Sequence, residues 1–233
     1  MKKFKINIKI IGIMLVVTGL LVIVYPYVNN YIYANKNRDA KKELLNKINK
    51  NEEYRELSEK LYKKLNEENK KLFENGQKDL KDPFSYEEEV IDLNEYGIID
   101  NTIGFITIPK INIEIPIYLG ASKSNMNKGA VHLTQTSYPI GGVNTNSIIA
   151  AHRGHQTLRL FNDIEKIEVN DIIYIQNFYE ELTYKVVDIK IIEPDEIDKI
   201  YIVEGRDLIT LMTCHPKYID NKRYLVIAER ENV

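Results

Sequence analysis

Leu208-Ile209-Thr210-Leu211-Met212-Thr213-Cys214-His215-Pro216 is the stretch on which the reading of this chain turns. An apolar run from Leu208 to Met212 carries the backbone to a thiol. Pro216 cannot continue a strand ladder, because it has no N–H to donate. The pattern predicts a strand ending at Cys214, where a side chain is held rigidly yet faces a cleft. Cys214 is the single cysteine in 233 residues. Arg223 follows nine positions later, and His152 stands far upstream in Ala150-Ala151-His152-Arg153-Gly154. A thiol, an imidazole and a guanidinium, each just off a predicted strand, are the parts of a cysteine acyl-transfer site. The competing interpretation is a buried structural cysteine, since Cys is among the most often buried residue types.

Composition narrows the choice. One cysteine rules out an intramolecular disulfide framework and any multi-thiolate metal site. The four histidines, at 132, 152, 155 and 215, lack the i, i+4 spacing of a helical metal pair, so neither a metal nor a cofactor is expected. A net charge of −2 with 28% charged residues gives no argument for nucleic acid as a partner. The nineteen residues from Ile10 to Val28 carry no charge and follow Lys2, Lys3, Lys5 and Lys9. About 20 apolar residues span a bilayer, and lysines on one side place that end in the cytoplasm. The expectation is an uncleaved single-pass anchor in the cell membrane with the remainder outside. The alternative is a cleavable signal peptide, against which stand the length of the run and the absence of a small-x-small pattern near Ile32-Tyr33-Ala34. A lone cysteine in an extracytoplasmic protein suggests a reactive thiol.

The organisation follows from shifts in pattern. A basic tail (1–9) and the anchor (10–28) precede a helical segment (35–78) rich in Lys, Glu and Asn. In it Leu57, Leu61 and Leu65 recur every fourth residue, as Leu44 and Ile48 do earlier. It reads as one helix broken near Asn49 to Asn51, or as two, with Gly76 as a stop. Residues 79–99 form a loop containing Asp82-Pro83-Phe84. From 100 to 233 short β-branched runs alternate with turns. Strands are predicted over 104–108, 113–117, 147–150, 172–176, 182–192, 208–212 and 223–228, with a short helix over 158–167. This spacing suggests a small barrel or sandwich.

The three groups divide the chemistry between them. A thiol titrates near 8.5 and an imidazole near 6.5, so the thiolate needs a nearby cation. His152 suits proton transfer to a leaving amine and from an incoming one. Arg223 cannot act as a base, and its fork suits a developing oxyanion.

These residues resemble the sortases, cysteine transpeptidases of Gram-positive cell surfaces. The resemblance rests on Thr210-Leu211-Met212-Thr213-Cys214, Arg223 and His152-Arg153-Gly154. Toward class C, the pilin-polymerising type, it is carried by Gly129-Ala130-Val131-His132, Ser137-Tyr138-Pro139-Ile140-Gly141-Gly142, Leu160-Phe161-Asn162-Asp163 and Asp207-Leu208-Ile209-Thr210-Leu211. It implies a mostly β fold, the closed sortase barrel with short helices, and Cys214, His152 and Arg223 as catalytic residues. The substrates implied are pilins or surface proteins bearing a Leu-Pro-x-Thr-Gly-like sorting signal, cleaved between Thr and Gly. The acyl group is held as a thioester and passed to a pilin lysine, or in the alternative reading to a peptidoglycan cross-bridge amine. A non-catalytic surface binding domain is the remote alternative. Asp82-Pro83-Phe84 looks like the class C lid, with Phe84 over the thiol and Asp82 beside the arginine.

Two features depart from class C. Its members usually carry a second, C-terminal anchor, and this chain ends at Val233 without such a run. His215 stands where a Thr is commoner. Thr213 and His132 are candidate substrate contacts, while Arg153 and His155 read as solvated.

Overall fold

The computed structural model describes residues 8–77, 91–154, 158–217 and 221–231. Among them eight strands close into one barrel: β1 (Thr102–Ile108), β2 (Ile113–Leu119), β3 (Ala130–His132), β4 (Thr145–Ala150), β5 (Ile172–Asn177), β6 (Glu181–Ile192), β7 (Asp207–His215) and β8 (Lys222–Arg230). Their order around the barrel is β1-β2-β3-β4-β7-β8-β6-β5, with β5 returning to β1. The β2–β3 and β4–β7 pairs are parallel, and the rest are antiparallel.

Alternation along the strands divides the interior in two. Ile209 and Leu211 of β7, Ile149 of β4, and Tyr224 and Val226 of β8 join the larger core. Met212, Ile148, Ala150 and Leu225, one step out of phase, join a smaller core with Met126, Val131 and Ile200. Both faces of β4 and β7 are therefore covered, which explains why Ile148-Ile149-Ala150 and Leu208–Met212 lack polar alternation except at Thr210, whose hydroxyl donates to Asn146 Oδ1 (2.9 Å). Each large apolar side chain withdrawn from water contributes about 1.5–3 kcal/mol. Barrel closure requires glycine at 104, where a Cβ would stand 2.4 Å from the Gln176 carbonyl oxygen of β5.

The N-terminal half is helical. α1 (Ile8–Lys50) is long and apolar enough at its start to cross a membrane, and it continues unbroken past the apolar segment onto the barrel. There the Tyr33 hydroxyl donates to the Lys128 carbonyl (2.6 Å), and Lys41 Nζ pairs with Glu114 (3.1 Å). The Arg159 N–H donates to Asn30 Oδ1 (2.9 Å), so the barrel begins within one helical turn of Val28. Asn51 takes extended geometry (φ −114°, ψ 105°) and ends α1. Its side chain accepts from the Tyr54 N–H and so caps α2 (Glu52–Glu74). α2 buries Tyr54, Ser58, Leu61, Leu65 and Asn69, one stripe at helical spacing. Asn69 makes paired hydrogen bonds with the backbone of Tyr138.

Two local expectations need correction. The sequence does not signal β3, whose three residues are too few to display a period; it forms by pairing with β2 and β4. The helix expected over 158–167 is a series of turns with one 3-10 turn at Ile164–Lys166. Leu160 has φ +25°, outside helical geometry, and the Asn162 side chain is committed to the Gly154 N–H.

Candidate active site

The parallel β4–β7 ladder brings the strand that leads to the distant histidine alongside the strand that carries the thiol. Ala150 stands opposite Met212, and the Ala151 N–H donates to the Met212 carbonyl (3.2 Å). Two residues further along each chain come Cys214, still on β7, and His152, two residues past the end of β4. The antiparallel β7–β8 ladder places Arg223 directly opposite Cys214. Opposite residues share a face, with their Cβ atoms about 4.5–5.5 Å apart. Cys214 and His152 are half-buried, while Arg223 is 3% exposed. β7 ends at His215, immediately before Pro216.

The backbone around His152 is pinned. Its carbonyl accepts the Phe161 N–H (3.2 Å), and the Gly154 N–H donates to Asn162 Oδ1. Phe161 is fully buried, so the Leu160-Phe161-Asn162 segment anchors the histidine carrier to the core.

Thr213 and His132, placed by sequence among the candidate substrate contacts, are both fully enclosed. Thr213 lies on the opposite face of β7 from Cys214. Its hydroxyl donates to the Ala151 carbonyl (2.8 Å), tying β7 to β4 at the level of the site. The His132 Nε2–H donates to the Ser137 carbonyl (2.9 Å), its Nδ1 has no partner, and its ring stacks on Tyr138. Burial lowers its pKa to about 4, so the ring is neutral and internal at neutral pH. Neither side chain reaches a surface where substrate could meet it. Asp82, Pro83, Phe84 and His155 lie outside the described residues.

Arg153, read as solvated, is buried instead, with its side chain 5% exposed, and it forms an ion pair with Glu165 on the 3-10 turn. The other carboxylate oxygen of Glu165 lies 3.2 Å from His215 Nδ1, and Arg153 Nη1 lies 3.2 Å from the same nitrogen. Nδ1 can accept from Arg153 when it carries no proton and donate to Glu165 when it does. The His215 ring packs tilted against Tyr224, 5.8 Å between centroids. Burial raises the Tyr224 pKa, and the Glu165 charge adds to the rise. No pattern in the sequence signals Glu165, one acidic residue in a charged turn.

Among the described residues no group of three His, Cys, Asp or Glu side chains gathers to hold a metal ion. Cavities of about 330 Å³ and 470 Å³ lie along the seams between the helices and the barrel, away from the thiol. The first is lined by Lys36, Glu43, Tyr54, Phe105 and Tyr118, and the second by Arg55, Glu59 and Tyr179 among others.

Comparison with known proteins agrees with this geometry. The sortase domain family matches residues 106–231. Sortase D of Bacillus subtilis is 31% identical over 130 residues, which cover 54% of this chain and 63% of that protein. Sortase C1 of pilus island 1 of group B Streptococcus is 34% identical with a TM-score of 0.73, covering 86% of this chain and 93% of that one. A lid mutant of Streptococcus agalactiae sortase C1 is 31% identical with a TM-score of 0.71, covering 84% of this chain and 97% of that one. The chain matched to sortase D spans less than two thirds of that relative's length. With the family matched over more than half of its residues on a barrel of the same architecture, this chain belongs to the sortase family.

Proposed function

We propose that this protein is a membrane-anchored cysteine transpeptidase acting on sorting signals, with Cys214 as nucleophile, His152 as proton carrier and Arg223 as oxyanion donor. The observation that carries the reading is the pairing of Arg223 opposite Cys214, with His152 two residues past the Ala150 that pairs with Met212. Cys214 Sγ attacks the carbonyl carbon of the signal's Thr, and negative charge gathers on the carbonyl oxygen, where Arg223 donates. Collapse breaks the C–N bond to Gly; His152 gives its proton to the departing amine, and a thioester remains. An incoming amine attacks the thioester carbonyl, His152 takes the amine's proton, and the thiolate leaves.

The class C likeness supports a lysine side chain of a pilin as that amine, on a Leu-Pro-x-Thr-Gly-like signal. It also supports Asp82-Pro83-Phe84 as a lid, since the crystallised lid mutant of sortase C1 shows that this relative carries one. Phe84 would then shield the thiol, and Asp82 would occupy Arg223 until substrate displaces it. α1 would hold the barrel at the outer face of the cell membrane, its basic end in the cytoplasm. Attachment to a cross-bridge amine is the second reading, favoured by the likeness to sortase D and by His215 in place of the commoner Thr.

Mass spectrometry of the full chain incubated with a sorting-signal peptide tests the first step. A thioester on Cys214, absent from Cys214→Ala, is the expected result; an unmodified wild-type enzyme under the same conditions overturns the reading. Turnover with a pilin lysine peptide against a cross-bridge peptide then separates the two acceptors. For the lid, Phe84→Ala should raise the rate of iodoacetamide labelling at Cys214 several-fold. Equal rates in the two proteins would remove the lid from the mechanism.

A further inference from the structure

Each of the three candidate catalytic residues is followed in sequence by a residue that turns to the reverse side of the site. His152 is followed by Arg153, Cys214 by His215 and Arg223 by Tyr224. These three neighbours come from three different strand ends, yet they meet in one cluster. The Arg153 guanidinium and the His215 Nδ1 are in contact, and the Tyr224 ring packs on the His215 ring. Glu165 closes the cluster. One carboxylate oxygen pairs with Arg153, and the other lies 3.2 Å from His215 Nδ1.

We propose that Glu165 is a positioning residue that sets the spacing of His152 and Cys214 by holding Arg153 and His215, the residues that follow them, with Tyr224, which follows Arg223, packed on the His215 ring. The proposal rests on the assignment of those three as the catalytic groups. The argument is geometric. β4 leaves the ladder after Ala150, so His152 sits on a segment no longer fixed by strand pairing. The Phe161 and Asn162 contacts fix that segment to the core, and Ala151, just before His152, is tied to β7 through the Met212 carbonyl and the Thr213 hydroxyl. Beyond His152 the tie to β7 runs from Arg153 to His215, and Glu165 clamps both of them. Its own backbone is steadied by the fully buried Ile164 next to it. An extended backbone sends adjacent side chains to opposite faces, so a bond to His215 orients Cys214 without touching it. A shift of about 1 Å between nucleophile and base is enough to cost about 10²-fold in rate.

Cys214 is the only cysteine, so iodoacetamide reports on it alone in the full-length protein. The test compares wild type, Glu165→Gln and Glu165→Asp, reading the pH midpoint of alkylation, kcat and KM with a sorting-signal peptide, and thermal stability. Two effects of Glu165→Gln oppose one another. Loss of a nearby negative charge alone would stabilise the thiolate and lower the alkylation midpoint. Loss of alignment separates the thiol from its cationic partners and raises it. A positioning role predicts a raised midpoint and a kcat at least tenfold lower with KM within twofold, both partly restored by Glu165→Asp. A lowered or unchanged midpoint, or a kcat within twofold of wild type, overturns it. If Glu165→Gln does not fold, His215→Thr breaks the same link while leaving the Arg153–Glu165 pair, and the same criteria apply. Wild type failing to form a thioester would instead refute the transpeptidase reading, which keeps the two failures distinct.

Discussion

The two ends of β7 are built to opposite purposes. At Asp207 a carboxylate accepts from the Gly142 N–H (2.8 Å), the Tyr184 hydroxyl (3.0 Å) and the Thr145 hydroxyl (3.3 Å). Burial raises its pKa, and these donors work against the rise. Seven residues later, Cys214 is half-buried, with Arg223 opposite it and His152 two residues past the end of β4. The first end uses its side-chain hydrogen-bonding capacity to lock the Gly141-Gly142 turn against the barrel. The second keeps the reacting face of its residues accessible and moves the bracing to the reverse side, around Glu165. One continuous ladder of β4, β7 and β8 joins the two arrangements.

Three perturbations would break or sharpen that contrast. At the reactive end, Arg223→Lys keeps the charge but loses the fork. Single-turnover acylation should fall about 10²–10³-fold with little change in thermal stability; a fall under tenfold would take the oxyanion role away from Arg223. At the locked end, Asp207→Ala leaves the Gly142 N–H and the Tyr184 hydroxyl without their acceptor, while the Thr145 hydroxyl keeps the Gly142 carbonyl, and should cost about 2–4 kcal/mol in denaturant unfolding. The alkylation rate of Cys214 should stay within twofold. A large change there would mean that the two ends are coupled.

The smallest effect is one of pH, through His132 between them. Its pKa is lowered to about 4 by burial, so between about 6.5 and 4 the unfolded chain binds the proton that the folded chain refuses. Stability therefore falls as pH drops through that window, by up to about 3 kcal/mol, and is unaffected above it. His132→Gln, which can still donate to the Ser137 carbonyl, should flatten that slope in pH-dependent melting. An unchanged slope would assign the acid sensitivity to other groups.

Much of this was legible in the chain. The apolar run to Cys214 stopped by Pro216, Arg223 nine residues on, and the charge-free segment behind four lysines are each local signals with a physical cause. Other features left no trace. β3 is too short to show a period, and the turns after Leu158 look helical until Leu160 takes positive φ. Arg153 looks like a solvated charge until Glu165 and His215 meet it. Thr213 and His132 lie close in sequence to functional segments and yet face inward.

By itself the sequence determined which groups could do the chemistry, because only thiol, imidazole and guanidinium side chains supply those roles. It also determined which segment is long and apolar enough to cross a membrane, since length and charge alone set that. The tertiary structure decided which of these groups meet. The parallel pairing of β4 with β7 joins residues 62 positions apart, and nothing in either segment encodes the other's register. It also decided the company of Glu165, which acquires meaning only when Arg153 and His215, from two separate strand ends, meet on its carboxylate.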